Sequence, residues 1–257
     1  MRLVSLFTIQ LIITLLFPSH VLSQVNIEKF RESKDVHGFS EHIELDFSSR
    51  SGNVDITKLD FESYSNYLWE SMNTFLVIRG DYGWQGGKQF SNEGLAHLRH
   101  IFRSGADFQP EIFAQIDYNK KRLLPFRGLF GGGLRYKLYK SSTSGFWWGT
   151  ALMLEHEKLD VDEHNTHEKK SDVIRWSNYI SANIDINECV RWAVTTYIQP
   201  RCADFKDIRI LTETVLQVEL SKRVSLAVPF SLRYDSDPPD DIKSLDTSLG
   251  TGLVLDF

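Results

Sequence analysis

The sequence predicts an all-β fold: an antiparallel transmembrane β-barrel of about 12 strands, with both termini periplasmic. Three observations lead there. Apolar residues recur at every second position through most of the chain, and the opposite face carries long charged side chains at strand centres. Aromatic residues sit near the ends of the apolar stripes, as two interfacial girdles require. Tyr82, Tyr118, Trp176 and Tyr234 mark one end, and Tyr136, Trp148, Trp192 and Phe257 the other. The connections alternate in length. "SKR", "DINE" and "KSSTS" are short, whereas "DSDPPDDIKS", "RCADFKD" and "LDVDEHNTHEKKSD" are longer and fall on the opposite end.

The elements follow in chain order. "MRLVSLFTIQLIITLLFPSHVLSQ" opens with Arg2, continues as an apolar run from Leu3 to Phe17, and breaks at Pro18. Val21 and Ser23 suit the −3 and −1 positions of a cleavage site, so residues 1–23 read as a cleaved secretory signal peptide. Residues 24–257 then form the barrel domain, with 24–38 a short periplasmic N-terminal segment. "EHIELDF", "LDFESYSNYLW", "TFLVIRGDYGW", "LAHLRHIFR", "PEIFAQIDYN", "PFRGLFGGGLRYKLY" and "FWWGTALMLEHE" read as strands of similar length. The next four alternate more cleanly. In "VIRWSNYISANIDI" Ile174, Trp176, Ile180 and Ile184 oppose Arg175, Ser177, Tyr179 and Asn183. In "VRWAVTTYIQP" Trp192, Val194 and Ile198 oppose Arg191, Thr195 and Gln199. In "IRILTETVLQVEL" Ile210, Leu216 and Val218 oppose Arg209, Glu213 and Glu219. In "RVSLAVPFSLRYD" Leu226, Val228 and Phe230 oppose Ser225, Pro229 and Arg233. The last strand, "SLDTSLGTGLVLDF", keeps the period to a terminal Phe257. An open sheet edge in lipid leaves backbone groups unsatisfied, so this strand is expected to pair with the first. Leu253, Leu255 and Phe257 resemble the signal that such barrels show to their assembly machinery.

The formal net charge of −5 gives no basis for a nucleic-acid partner. No cofactor is expected. The loop histidines His156, His164 and His167 match no metal template, and "DSDPPDD" lacks an EF-hand pattern, so no metal is expected either. Cys189 and Cys202 flank one predicted strand, too far apart to bridge.

On the predicted alternation, Arg127, Arg135, Arg175, Arg191, Arg209 and Arg233 point into the lumen. So do Glu111, Asp117, Glu155, Glu213, Glu219, Asp235 and Asp246. A bare charge in a narrow lumen is costly, whereas opposite charges on neighbouring strands pair. Arg191, Arg209 and Arg233 are expected to pair with Glu213 and Glu219 and to occlude the barrel. The competing reading is a narrow channel for small hydrophilic solutes or ions. A third is a soluble exported β-domain binding a lipophilic ligand. Lipid-hydrolase chemistry would need a Ser in phase with His100, and the strands flanking it offer none; no Gly-x-Ser-x-Gly elbow occurs. An enzyme is not expected.

The stretches "NEGLAHLRHIFRSGADFQPEIFAQIDYNKKRLLPFRGLFGGGLRYKLYK", "YIQPRCADFKDIRILTETVLQVEL" and "LRYDSDPPDDIKSLDTSLGTGLVLDF" resemble the domain of unknown function 481 family. Members of that family carry the label of salt-induced outer-membrane proteins. The resemblance implies an outer-membrane barrel and transfers no catalytic residue. The expected protein is thus a monomer of the bacterial outer membrane with a structural or envelope-stress role. Its partners would be membrane lipid and, during biogenesis, the barrel-assembly machinery. Deleting Phe257 should impair membrane assembly and leave export intact. Wild-type assembly of the shortened chain, with unchanged heat-modifiable gel mobility, would refute the role of that residue.

Overall fold

A computed structural model describes residues 38–102, 107–221 and 223–255. The predicted signal peptide and Phe257 lie outside these residues. The strands are β1 (Gly38–Arg50), β2 (Ile56–Leu68), β3 (Met72–Gln85), β4 (Lys88–Phe102), β5 (Phe108–Asn119) and β6 (Leu124–Lys140). They continue as β7 (Ser144–Lys158), β8 (Lys170–Asn187), β9 (Val190–Arg201), β10 (Asp204–Ser221) and β11 (Val224–Asp235). β12 (Leu245–Leu249) and β13 (Gly252–Leu255) are two pieces of one last strand, since both pair with β11. All form one antiparallel sheet in strict sequence order. Gly38 and Leu255 therefore lie on the same rim, here the terminal rim; the opposite one is the far rim.

The faces are inverted relative to a water-soluble sheet. On β4, Glu93, Leu95, His97, Arg99 and Ile101 are buried, while Leu98 and Phe102 on the opposite face are exposed. On β5, Glu111, Gln115 and Asp117 are buried, and Ile112 and Ile116 are exposed. The same inversion continues through β6 to β8, where Arg127, Glu155 and Arg175 are inside and Phe130, Leu154 and Ile174 outside. The sheet curls around this charged face. Arg122, in the 3-10 turn Lys120–Arg122 after β5, pairs with Asp246 on β12.

Two local features follow from residue type. The β3–β4 hairpin turns on Gly86 and Gly87, whose φ values of 55° and 76° are what a tight primed turn demands. The break between β12 and β13 lies opposite Pro229 of β11. Gly250 N–H donates to Pro229 O at 3.0 Å, but proline has no N–H to return the bond. The expected single last strand is thereby interrupted after Leu249.

Three further expectations change. "RCADFKD" is not a long loop: β9 and β10 meet across residues 202–203, and residues 205–207 form an irregularity in β10. The length asymmetry rests instead on the far-rim loops 159–169 and 236–244. The sheet is also unclosed among the described residues, because β1 pairs only with β2 and no ladder joins it to β12 or β13. Phe39, Ile43, Leu45 and Phe47 of that edge strand are exposed. Finally, Gly38 belongs to β1 rather than to the segment before it.

The glycine run of β6 answers close packing against β7. A Cβ on Gly133 would fall 2.2 Å from Thr150 O and 2.5 Å from Ala151 Cβ. Gly133→Ala should lower stability by roughly 1–3 kcal/mol through overpacking. Thermal melting of the refolded protein in detergent checks this, and an unchanged midpoint would contradict it.

Candidate functional site

The inner face near the far rim carries a continuous chain of ion pairs. Asp117 on β5 and Arg127 on β6 are register partners, and Arg127 Nη2 lies 3.0 Å from Asp117 Oδ1. Arg127 also lies 3.7 Å from Glu157 on β7. Glu157 accepts a forked pair from Arg209 on β10, Nη1 at 2.9 Å and Nη2 at 3.0 Å. Such bidentate geometry is the strong form of the contact. Arg209 Nη1 donates further to Glu155 at 2.8 Å, and its Nε to Asp235 at 3.1 Å. Glu155 accepts a second bond, from Arg175 Nε on β8 at 2.8 Å. Arg175 forks onto Asp207, at 2.9 and 3.2 Å, using the β10 irregularity that turns this carboxylate inward.

Toward the terminal rim the interior becomes more aromatic. The His97 ring stacks between Phe75 and Phe113, at centroid distances of 6.3 and 5.9 Å. Its Nδ1 lies 3.0 Å from Gln115 Oε1, and Arg99 Nε donates to its Nε2 at 3.3 Å. Arg99 pairs with Glu111 at 2.6 Å and covers the Phe113 ring. Tyr179, Tyr197 and Leu211 close a second buried cluster. On β2 and β3, Arg79 pairs with Glu62, and Lys58 with Asp60 and Asp81.

The two long far-rim loops clasp one another above the ion-pair chain. Thr166 donates its backbone N–H and its hydroxyl to Asp240, both at 2.8 Å. These bonds, the backbone one first, hold the Asp240 carboxyl below its ordinary range. His167 Nε2 lies 3.2 Å from the Asp237 carbonyl. Beneath them is a cleft of about 60 Å³ that reaches Arg122, Arg127, Arg209 and Arg233. A second cavity, of about 40 Å³, lies around His97, Arg99 and Tyr179.

The family pattern described as "Protein of unknown function, DUF481" matches residues 43–257. The chain belongs to that family. The solved structure titled "NanC porin structure in rhombohedral crystal form" aligns at a TM-score of 0.46 and 10% identity, over 83% of this chain and 100% of that one. The transport unit of the autotransporter AIDA-I from Escherichia coli aligns at 0.37 and 12%, over 88% and 92%. No curated protein matches the chain.

In this DUF481 chain Arg127, Arg175, Arg209, Arg233 and Asp235 converge near the far rim, whereas the other sequence-predicted site residues lie elsewhere. Arg135 is buried farther down β6, over the Trp147 ring at 4.7 Å. Arg191 is opposite Gln217 while Arg209 is opposite Gln199, so the two arginines sit at opposite ends of the interior. The Arg191 side chain is 60% exposed and pairs with Asp185 at 2.7 Å. Glu219 is exposed near the terminal rim, and Glu213 makes no ion pair or hydrogen bond among the described residues. The expected pairing of Arg191, Arg209 and Arg233 with Glu213 and Glu219 therefore does not form: Arg191 pairs with Asp185 on β8, Arg209 with Glu155 and Glu157 on β7 and Asp235 on β11, and Arg233 has no ion-pair partner among the described residues. Leu253 is exposed on the outer face, and the Leu255 backbone pairs with Val224. Cys189 and Cys202 are free and sit at opposite ends of β9.

Sequence reasoning passed over Glu157, Arg99, His97 and Asp207. Glu157 lies two residues from Glu155 on the same face of β7, and His97 and Arg99 share the buried face of β4. Asp207 carries no such signal, because only the β10 irregularity brings it inward.

Glu155→Gln should destabilise the protein by about 3 kcal/mol, since it removes charge from two buried guanidinium contacts at once. Glu213→Gln should melt near wild type. Parallel melting curves in detergent decide this, and equal losses in the two variants would show that the chain centred on Arg209 carries no special weight.

Proposed function

We propose that this chain is a monomeric outer-membrane β-barrel with a structural or envelope-stress role and no catalytic activity, its lumen closed by internal ion pairs. The observation that carries the reading is the inversion of faces. Ile112, Ile116, Phe130, Leu152, Leu154 and Ile180 are exposed while Glu111, Asp117, Arg127, Glu155 and Arg175 are buried. In water that arrangement leaves a broad apolar surface uncovered; against lipid tails it is the favourable one. The outer-face tryptophans support it. Trp176 and Trp192 are exposed, yet their indole N–H groups donate to Thr150 and Thr214 at 2.8 and 2.6 Å. An indole donor in an apolar setting needs such an acceptor.

Backbone polar groups at an open edge are costly in a bilayer, so the reading includes closure of β1 against the last strand. The bacterial outer membrane is then the location, lipid the constant partner, and the assembly machinery a transient one. A soluble domain that binds a lipophilic ligand would line its interior with apolar side chains, and this interior is charged.

A narrow channel is the second reading, favoured by the charged lining and the cavities at both levels. The ion pairs and stacked rings that cross the interior favour occlusion. Fractionation should recover the protein with outer membranes, and a soluble pool would overturn the membrane reading. Planar-bilayer recordings should show no steady open conductance. A steady conductance in wild-type protein would replace occlusion by the channel.

A further inference from the structure

Of the four arginines that line the far-rim cleft, Arg233 alone has no ion pair among the described residues. Only 5% of it is exposed, and none of Nε, Nη1 and Nη2 has a hydrogen-bond partner among the described residues. Its cross-strand neighbours on the two sides are Leu211 and Asp246. Leu211 offers nothing to a guanidinium, and the Asp246 carboxylate is held by Arg122. Asp235 is engaged by Arg209, and Asp117 and Glu157 by Arg127. Arg122 and Arg127 act on Arg233 as like charges, while Glu93 and Glu213 attract it without bonding to it. A buried charge left unpaired is strongly unfavourable, and this one lines a cleft with room for a counter-charge.

We propose that this cleft is a binding site for a small oxyanion, a carboxylate or phosphate group, seated on Arg233. The guanidinium fork matches either group bidentately. Lys243 on the 236–244 loop adds positive charge to the lining, beside the apolar Pro239 and Ile242. The space of about 60 Å³ suits a few displaced waters, so the seat takes one anionic group rather than an extended polyanion. The two loops joined by the clasp of Thr166 on Asp240 line this cleft through His167 and Asp237. This site is independent of whether the lumen conducts.

The test uses the full refolded chain in detergent at low salt, titrated calorimetrically with inorganic phosphate and separately with acetate. One equivalent of at least one anion should bind and raise the melting temperature, and the tighter of the two identifies the group. Arg233→Met should weaken binding by about tenfold or more, the loss expected for a charge-assisted bidentate contact. It should also raise the melting temperature measured without anion, because it removes an unpaired buried charge. Arg233→Lys keeps the charge without the fork and should bind less tightly than wild type while still folding. Arg191→Gln, far from the cleft, should bind as wild type. No binding of either anion to the wild-type chain overturns the proposal. So does undiminished binding by Arg233→Met, or a lower anion-free melting temperature in that variant, which would mark a purely structural arginine.

Discussion

The contacts of Arg209 set the shape of the interior. This one guanidinium reaches two carboxylates on β7 and one on β11, so it ties together strands that are not neighbours in the sheet. A flat sheet could not make those contacts. The curl that brings β7 and β10 within about 3 Å at their charged tips is the same curl that leaves the aliphatic face outermost. Charge pairing inside and apolar exposure outside are thus two consequences of one geometry. Neither alone need stabilise the fold strongly, because the desolvation of a buried pair offsets much of its attraction. What the pairs provide is a defined arrangement: each acid at this level has a partner that another register would take away.

Aromatic packing takes over where the ions stop. His97 sits between two phenylalanine rings, and Arg99 lies across one of them while still holding Glu111. The guanidinium plane satisfies both demands, as a lysine would not. The interior therefore grades from ionic at the far rim to aromatic toward the terminal rim. The loops follow the same polarity. The long ones gather above the ionic end and lock through Thr166 and Asp240, while the terminal rim is closed by short connections.

The last strand illustrates how one residue overrides a regular pattern. Pro229 lies in the apolar-polar alternation of β11 and leaves its side chain in phase, yet it withholds a backbone donor from the neighbouring strand. The interruption was legible in the sequence, since proline in a strand that is not at an edge signals a lost ladder bond. The periodicity of "SLDTSLGTGLVLDF" masked it. The irregularity in β10 is of another kind. It follows from no residue type in "RCADFKD" and becomes meaningful only because Asp207 meets Arg175 there.

Alternation by itself determined the all-β class, the number of chain passes, and the face to which Arg127, Arg175, Arg209 and Arg233 belong. Each of these depends on a residue and its immediate neighbours along one strand, where the two-residue period is a local property of the backbone. Tertiary structure alone decided which charges meet. Arg191 and Arg209 share a face but lie at opposite ends, because the register pairs them with Gln217 and Gln199. Arg209 finds Glu155 and Glu157 across the interior, and Arg233 finds no acid although Asp246 stands beside it in the ladder. A strand's sequence states which side a charge takes. It holds no record of how far the sheet curls, and the curl sets the distance between faces that no backbone bond connects.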